Sequence, residues 1–166
     1  MRQDTRHEPV VADRASGGEE PAYPVSESIG LLMRIALFGL RSSFKATLAR
    51  HKVPWSAWYY LRVLWEADGI SQRALTERVG AMQPNTVSAL RNMEKAGLVS
   101  IERPATDRRS TKVWLTPKAR RIMKRILPEM RAAMRPIALD GFSEREEAEL
   151  RRLLNKICDN VRRKAR

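Results

Sequence analysis

The sequence contains a single cysteine, Cys158, so no disulfide can form within one chain. A lone cysteine is typical of proteins from reducing compartments. Long uncharged apolar runs are also missing, because the most apolar stretch, residues 29–40, is interrupted by Arg34 and is too short to span a bilayer. Residues 1–20 contain no apolar segment of signal-peptide length. These absences predict a cytoplasmic protein that does not enter a membrane.

The side-chain sets that carry catalysis are missing as well. No paired carboxylates, nucleophile–base pair, glycine-rich phosphate loop or metal-ligand cluster can be recognised in the sequence. The two histidines, His7 and His51, lie far from each other and from Cys158, which leaves no zinc-ligand pattern. We therefore expect no enzymatic activity, no metal and no cofactor.

Basic charge is the main excess in the composition. The formal net charge is +13, and a charge of this size opposes compaction by self-repulsion. It is typical of proteins with a polyanionic partner, of which nucleic acid is the first candidate and an anionic membrane surface the second. A generally basic soluble protein is the alternative. Residues 1–23 carry more acidic than basic side chains and are predicted to form a disordered tail.

Helical periodicity dominates both ends of the remaining chain. After Ser26, a possible cap, apolar residues recur every three or four positions in a continuous stripe, which predicts one long amphipathic helix ending near Arg50. Thr116 and Pro117 open a later helix, which Pro128 and Pro136 should kink or segment. A capping box at residues 143–146 opens the last helix. Its apolar positions are Leu150, Leu153, Leu154, Ile157 and Val161.

The central part combines short helices with a hairpin. Ser56 and Ser71 can cap two helices, and Gly80 ends the second. A third helix begins at Pro84 and stops at Gly97. Residues 98–103 and 111–115 then alternate like two strands joined by a turn. The predicted fold class is mainly α with a small β-hairpin wing.

The two helices that precede the hairpin are predicted to form a helix-turn-helix, with the second as the reader helix. Its buried side is predicted as Val87, Leu90, Met93 and Ala96. Its outward residues are predicted as Gln83, Asn85, Thr86, Ser88, Arg91 and Asn92. Asn and Gln can pair with adenine, Arg with guanine, and Thr or Ser with bases or phosphates. An ordinary solvated helix face is the alternative.

The hairpin is rich in basic residues. Arg103, Arg108, Arg109 and Lys112 lie on a thin ribbon that suits the narrow minor groove, where Arg is attracted by enhanced negative potential. An acid such as Asp107 would repel phosphate. Its presence in this hairpin is explained if it pairs with a neighbouring Arg and fixes the rotamer of that Arg. A charged surface turn is the alternative reading of the same residues.

Several linked motifs in this sequence resemble the MarR family, the multiple-antibiotic-resistance type of winged-helix transcription regulators. The resemblance covers residues 26–161 and is carried by motifs in the helix-turn-helix, the wing and the last helix. These motifs are LTERV (75–79), TVSAL (86–90), MEKAGLV (93–99), DRR (107–109), VWLTPK (113–118) and FSERE (142–146).

The resemblance implies a homodimer whose helical dimerisation region comprises residues 24–53 and 117–166. Residues 54–116 would be the winged helix-turn-helix DNA-binding region, and two such regions would bind a pseudo-palindromic double-stranded operator. By the same resemblance Arg109 enters the minor groove and Asp107 positions it. The chain departs from many members in having Ser88 and Asn92 where they carry Arg or Lys.

Family members commonly release DNA when a small molecule binds, often an aromatic acid. Aromatic residues are scarce here, at 6%, but they cluster on or near the second helix. We hypothesise that Trp58 and Tyr59 contact such an effector, with Phe44 nearby and Arg62 able to pair with a carboxylate. The alternative is that these rings pack in the core or a dimer interface. Cys158 is expected to be a buried, inert thiol rather than a redox switch.

Two functions follow from these patterns. The first is a sequence-specific, ligand-responsive repressor. The second is a non-specific architectural DNA-binding protein, against which the varied polar face of the reader helix argues, because phosphate binding needs only Lys and Arg.

Overall fold

The computed structural model describes residues 24–103 and 111–164, which form six α-helices and three short strands after a 3-10 turn at Val25–Glu27. The predicted tail, residues 1–23, lies outside the described residues. In chain order the elements are α1 (Ile29–Arg50), α2 (Trp55–Glu66), β1 (Ile70–Ser71), α3 (Gln72–Val79), α4 (Gln83–Lys95), β2 (Val99–Glu102), β3 (Lys112–Leu115), α5 (Pro117–Ala138) and α6 (Glu144–Lys164). The predicted fold class is confirmed.

The chain divides into two compact units after Ala36, within α1. In the first unit the described residues are the 3-10 turn and the start of α1. There Ser28 Oγ accepts a hydrogen bond from the Leu31 backbone N–H at 3.4 Å. The predicted cap at Ser26 is wrong, because Ser26 lies inside the 3-10 turn. Exposed apolar side chains of this unit are Ile29, Leu32, Met33 and Ile35.

The second unit, residues 37–166, contains the hydrophobic core. The core draws side chains from α1 through α5, and burial of this apolar surface is the main stabilising contribution. Its fully buried members include Leu48, Leu61, Leu64, Leu75, Leu90, Met93, Leu98, Val113, Met123 and Ile126. No residue of α6 is buried. The last helix is therefore not part of this core.

The sheet is antiparallel with strand order β1-β3-β2. Val99 faces Leu115 at one end of the β2–β3 pair, and Glu102 faces Lys112 at the other. The sequence predicted only these two strands. β1 pairs Ile70 with Val113 and has two residues, too short to give a periodic pattern.

Most of the predicted helix caps are confirmed. Ser71 Oγ accepts from the Ala74 N–H at 3.1 Å, and Thr116 Oγ1 accepts from the Ala119 N–H at 3.1 Å. Gly80 ends α3 in the left-handed conformation, with φ 71°. Ser143 and Glu146 form the predicted capping box, in which the Ser143 N–H donates to Glu146 Oε2 at 2.9 Å. The Ser143 hydroxyl also donates to Glu146 Oε2, at 2.6 Å, and this bond, followed by the backbone one, lowers the pKa of the Glu146 carboxyl.

Three expectations are corrected. α2 is not capped by Ser56, because the extended Pro54 precedes its first residue, Trp55. α5 is not segmented by its prolines: it runs without interruption past Pro128 and Pro136, since each proline removes only one backbone donor. Cys158 is exposed rather than buried, because it lies on α6, which contributes nothing to the core.

Candidate nucleic-acid interface

The helix-turn-helix is formed by α3 and α4, with a turn that needs a glycine. Gly80 adopts φ 71°, and its N–H lies 3.1 Å from the Thr76 carbonyl at the end of α3. α4 begins two residues after Ala81, with the extended Met82 as its N-cap and Pro84 in its first turn. No side chain caps its first N–H groups. These donors are therefore available to a phosphate oxygen.

The outward face of α4 matches the predicted reader face at five of its six positions. The exposed residues are Gln83, Asn85, Ser88, Arg91 and Asn92. Asn85, Ser88 and Asn92 are spaced by three and four residues, so they lie on one side of the helix. Their roles as base readers stay predictions.

Thr86 does not belong to this face, and the expectation that it points outward is wrong. Its side chain is 0% exposed. The Thr86 hydroxyl lies 3.2 Å from the Tyr60 hydroxyl and donates to the Met82 carbonyl at 3.3 Å. The buried stripe of α4 is Thr86, Leu90 and Met93, whereas Ala96 is exposed and Val87 only half-buried.

The Tyr60–Thr86 contact joins α2 to the outward-facing helix. Replacing Tyr60 by Phe should destabilise the fold by about 0.5–1.5 kcal/mol, because one buried hydrogen bond is lost while Thr86 keeps its bond to the Met82 carbonyl. Chemical denaturation measures this change. Tyr59→Phe is the matched control, because Tyr59 is 41% exposed. Equal losses in the two variants would contradict a role for the Tyr60 hydroxyl in seating α4.

The wing is the β2–β3 hairpin, of which the described part carries two of the predicted basic residues. Lys112 is exposed and lies opposite Glu102. Arg103 NH2 lies 3.6 Å from Glu94 Oε2, an exposed ion pair between α4 and the end of β2. Asp107, Arg108 and Arg109 lie outside the described residues, so their predicted roles stay predictions.

Asp68 fixes the position of the wing relative to α2, a role that sequence reasoning missed because the residue reads only as part of a turn. Its Oδ1 accepts a hydrogen bond from the Leu115 N–H at 2.8 Å, and its Oδ2 pairs with Arg120. The side chain is only 16% exposed. One carboxylate thus ties the end of α2 to β3 and α5 at once.

A sequence model of the MarR family matches residues 51–110, a span that contains α2, β1, α3, α4 and β2. This region of the chain therefore resembles the MarR family.

Individual relatives are distant from this chain. The HTH-type transcriptional regulator TtmR of Methylorubrum extorquens is 27% identical over 125 residues, which are 74% of this chain and 64% of the relative. The match thus spans slightly less than two thirds of that regulator's length.

Two solved structures show the fold. BpsR of Bordetella bronchiseptica, whose DNA binding is regulated by 6-hydroxynicotinic acid, has a TM-score of 0.72 and 22% identity, covering 82% of this chain and 97% of BpsR. CouR of Rhodococcus jostii RHA1, bound to p-coumaroyl-CoA, has a TM-score of 0.70 and 21% identity, covering 82% of this chain and 96% of CouR. At these identities the likeness establishes the winged-helix fold and nothing further.

The aromatic residues proposed to contact an effector divide between the core and the surface. Phe44 and Trp58 are 3% and 7% exposed and pack in the core, as the packing alternative expects. Tyr59 is exposed and meets Trp55 edge-on, with ring centroids 5.4 Å apart. Partial burial raises the pKa of the Tyr59 hydroxyl.

The predicted carboxylate partner on α2 is already engaged. Arg62 NH2 lies 2.8 Å from Glu66 Oε1, one turn along the same helix. An effector carboxylate would therefore compete with Glu66 for Arg62. Neither of the two clefts described in the second unit is lined by Phe44, Trp58, Tyr59 or Arg62. Their ligand contacts remain predictions.

Across residues 24–103 and 111–164, no three His, Cys, Asp or Glu side chains are grouped to hold a metal ion. In those ranges no helix is both long and apolar enough to cross a membrane.

Proposed function

We propose that this protein is a sequence-specific, dimeric DNA-binding transcription regulator, acting as a repressor that a small ligand releases from DNA, and that it is not an enzyme. The observation that carries the proposal is the exposed face of α4. Asn85, Ser88, Arg91 and Asn92 project from a helix held in place by the buried Tyr60–Thr86 contact. Only one of the four side chains is cationic. The face is therefore suited to hydrogen bonds with base edges in the major groove more than to phosphate contact.

A non-specific architectural protein is the second candidate, supported by the net charge of +13. The two functions predict different footprints. A specific dimeric regulator protects a discrete, roughly two-fold symmetric site upstream of its own gene at physiological salt with excess competitor DNA. Protection that is spread along the fragment and removed by competitor, together with no enrichment in a genome-wide selection of bound fragments, would support the architectural function.

Dimerisation is supported by apolar surface on α6. Leu150, Leu153 and Leu154 are 37%, 42% and 39% exposed, and Val161 is 63% exposed. Leu153 and Leu154 lie three and four residues after Leu150, and Val161 lies seven residues after Leu154, which places all four along one side of the helix. An exposed apolar stripe of this kind favours association. A second copy of the chain would cover it and would supply a second α4 for the other half of a pseudo-palindromic operator.

Asn85→Ala tests base reading directly. If Asn85 pairs with a base edge, the variant loses about 1–3 kcal/mol of binding free energy on the operator and little on random DNA. Arg109→Ala is the contrasting variant: it should weaken binding to both DNAs and reduce the salt slope by about one. Electrophoretic mobility shifts over a range of salt concentrations measure both effects. Equal losses on both DNAs for Asn85→Ala would exclude its base-reading role.

Release by an effector is supported by relatives of the same fold, since 6-hydroxynicotinic acid regulates DNA binding by BpsR and p-coumaroyl-CoA binds CouR. We expect an aromatic acid or its thioester to bind near Tyr59 and Trp58 and to change tryptophan emission saturably. A titration with a panel of such compounds measures this, and the compound that binds should also weaken the operator complex. Unchanged emission across the whole panel would remove the effector role of these two residues.

A further inference from the structure

A basic cleft of about 330 Å³ lies in the second unit, away from the exposed face of α4. One wall is the end of α1 and the residues after it, and the other wall is the first part of α5. The lining residues are Arg50, His51, Lys52, Lys118, Arg121, Ile122 and Arg125. Five of these side chains are Arg or Lys and only Ile122 is apolar. We define this set of residues as the basic cleft.

The charges of the basic cleft are only partly compensated. Glu129 meets Arg50 at 2.9 Å and His51 at 3.0 Å, and the Arg50 hydrogen bond is the main cause of the lowered pKa of the Glu129 carboxyl. Within residues 24–103 and 111–164, Lys52, Arg121 and Arg125 have no carboxylate within 4.0 Å. Like charges held this close repel one another, so an arriving anion relieves an unfavourable interaction.

The cleft touches the far end of α4 through Lys118. Lys118 Nζ donates to the Ala96 carbonyl at 2.7 Å, where a cation stabilises the carbonyl end of the helix. Gln83, at the other end of α4, is about 20 Å from Ala96 at 1.5 Å per residue. Lys118 follows Leu115, and Leu115 lies opposite Val99 at the end of the hairpin away from its turn. The basic cleft is therefore remote from the first turn of α4 and from the Glu102–Lys112 end of the β2–β3 pair.

The size and chemistry of the basic cleft define the ligand class. A volume of about 330 Å³ suits a small molecule or its head group and not a polymer. Several cations around one cleft require more than one negative charge, and guanidinium groups pair with phosphate oxygens in bidentate geometry. With Ile122 as the only apolar wall, an aromatic body has little to pack against.

We propose that the basic cleft binds a small phosphorylated anion carrying at least two negative charges, separately from the aromatic effector. The anion competes with the Ala96 carbonyl for Lys118 and with Glu129 for Arg50. Binding therefore loosens the carbonyl end of α4. This coupling to α4 rests on the proposed DNA-binding function, whereas anion binding itself does not.

Calorimetric titration of the full-length chain with inorganic pyrophosphate at constant ionic strength tests the binding. We expect saturable binding that falls about tenfold or more in Arg121→Gln and in Arg125→Gln. Lys124→Gln is the matched control, because Lys124 is an exposed cation of α5 that does not line the cleft. Lys52→Gln tests whether the wall that follows α1 also contributes to pyrophosphate binding. Absence of saturable binding, or equal losses in all four variants, would overturn the proposal.

DNA binding by the same variants separates the two sources of phosphate. If the ligand is a small molecule, pyrophosphate weakens the wild-type DNA complex, and Arg121→Gln removes that effect without changing the salt slope. A salt slope reduced by about one in Arg121→Gln but not in Lys124→Gln would assign the cleft to the DNA backbone and overturn the small-molecule proposal. Normal pyrophosphate binding by a chain that binds no DNA would leave the site intact and remove only its coupling to α4.

Discussion

Replacing Gly69 by Ala should destabilise the protein by roughly 2–5 kcal/mol, with a fall in Tm of about 10 °C. Gly69 has φ 68°, a conformation that costs an L-residue with a Cβ roughly 1–2 kcal/mol. A Cβ built at this position would overlap the Trp114 ring, and a rigid indole cannot move aside cheaply. The two costs add because both arise in the same folded state. Thermal and chemical denaturation measure the sum.

Gly80→Ala separates the two contributions. Gly80 has nearly the same φ, 71°, but a Cβ there would meet nothing within 4 Å. Its variant should therefore show only the backbone cost. The difference between the two variants reports the contact with Trp114, and Trp114→Leu in the Gly69→Ala background should recover part of that difference. Equal destabilisation by both alanines would show that the Trp114 ring yields freely and that close packing at Gly69 is unimportant.

Replacing Leu153 by Glu should convert the proposed dimer to a monomer and weaken operator binding about 100-fold or more. Leu153 is 42% exposed on α6, a helix with no buried residue, so the single chain tolerates a charge there. In a dimer the same carboxylate would be buried in an apolar interface at high cost. A monomer contacts only one half-site, so it loses the gain in affinity that comes from two linked α4 helices. That gain is of order 10²–10⁴-fold.

Light scattering gives the oligomeric state of this variant and mobility shift gives its affinity. Arg152→Ala is the matched control on α6, because Arg152 is exposed and pairs with Glu149 instead of an apolar neighbour. It should remain dimeric and bind the operator normally. A Leu153→Glu variant that stays dimeric with full affinity would contradict the assignment of α6 to the interface.

The boundaries of most elements could be predicted because their signals are local. Ser71 and Gly80 bracket α3, and Thr116 with Pro117 opens α5, through hydrogen bonds that span only a few residues. Such caps depend on neighbouring residues and little on the rest of the fold. The motifs of the helix-turn-helix and wing were local too, and their joint resemblance to the MarR family is confirmed.

The placement of Thr86 shows where local reading failed. Both Thr86 and Val87 fit an inward stripe with Leu90 and Met93. Thr86 precedes these two residues by four and seven positions, and Val87 precedes them by three and six. The sequence does not decide between these two phases of the helix. The structure decides it, because the Tyr60 hydroxyl from α2 offers a buried partner that a threonine can use and a valine cannot.

The sequence by itself determined most of the caps, the apolar stripe of α6, the polar face around Asn85 and the basic excess, since each depends on residue type and short-range periodicity. Tertiary structure decided the burial of Thr86, the third strand, the anchoring of Leu115 by Asp68 and the basic cleft. Each of these joins residues far apart in the chain. The cleft brings Lys52 together with Arg121, and only packing of α1 against α5 through the core creates that proximity. Long-range contacts are set by how the stripes of different elements fit together, which no local pattern encodes.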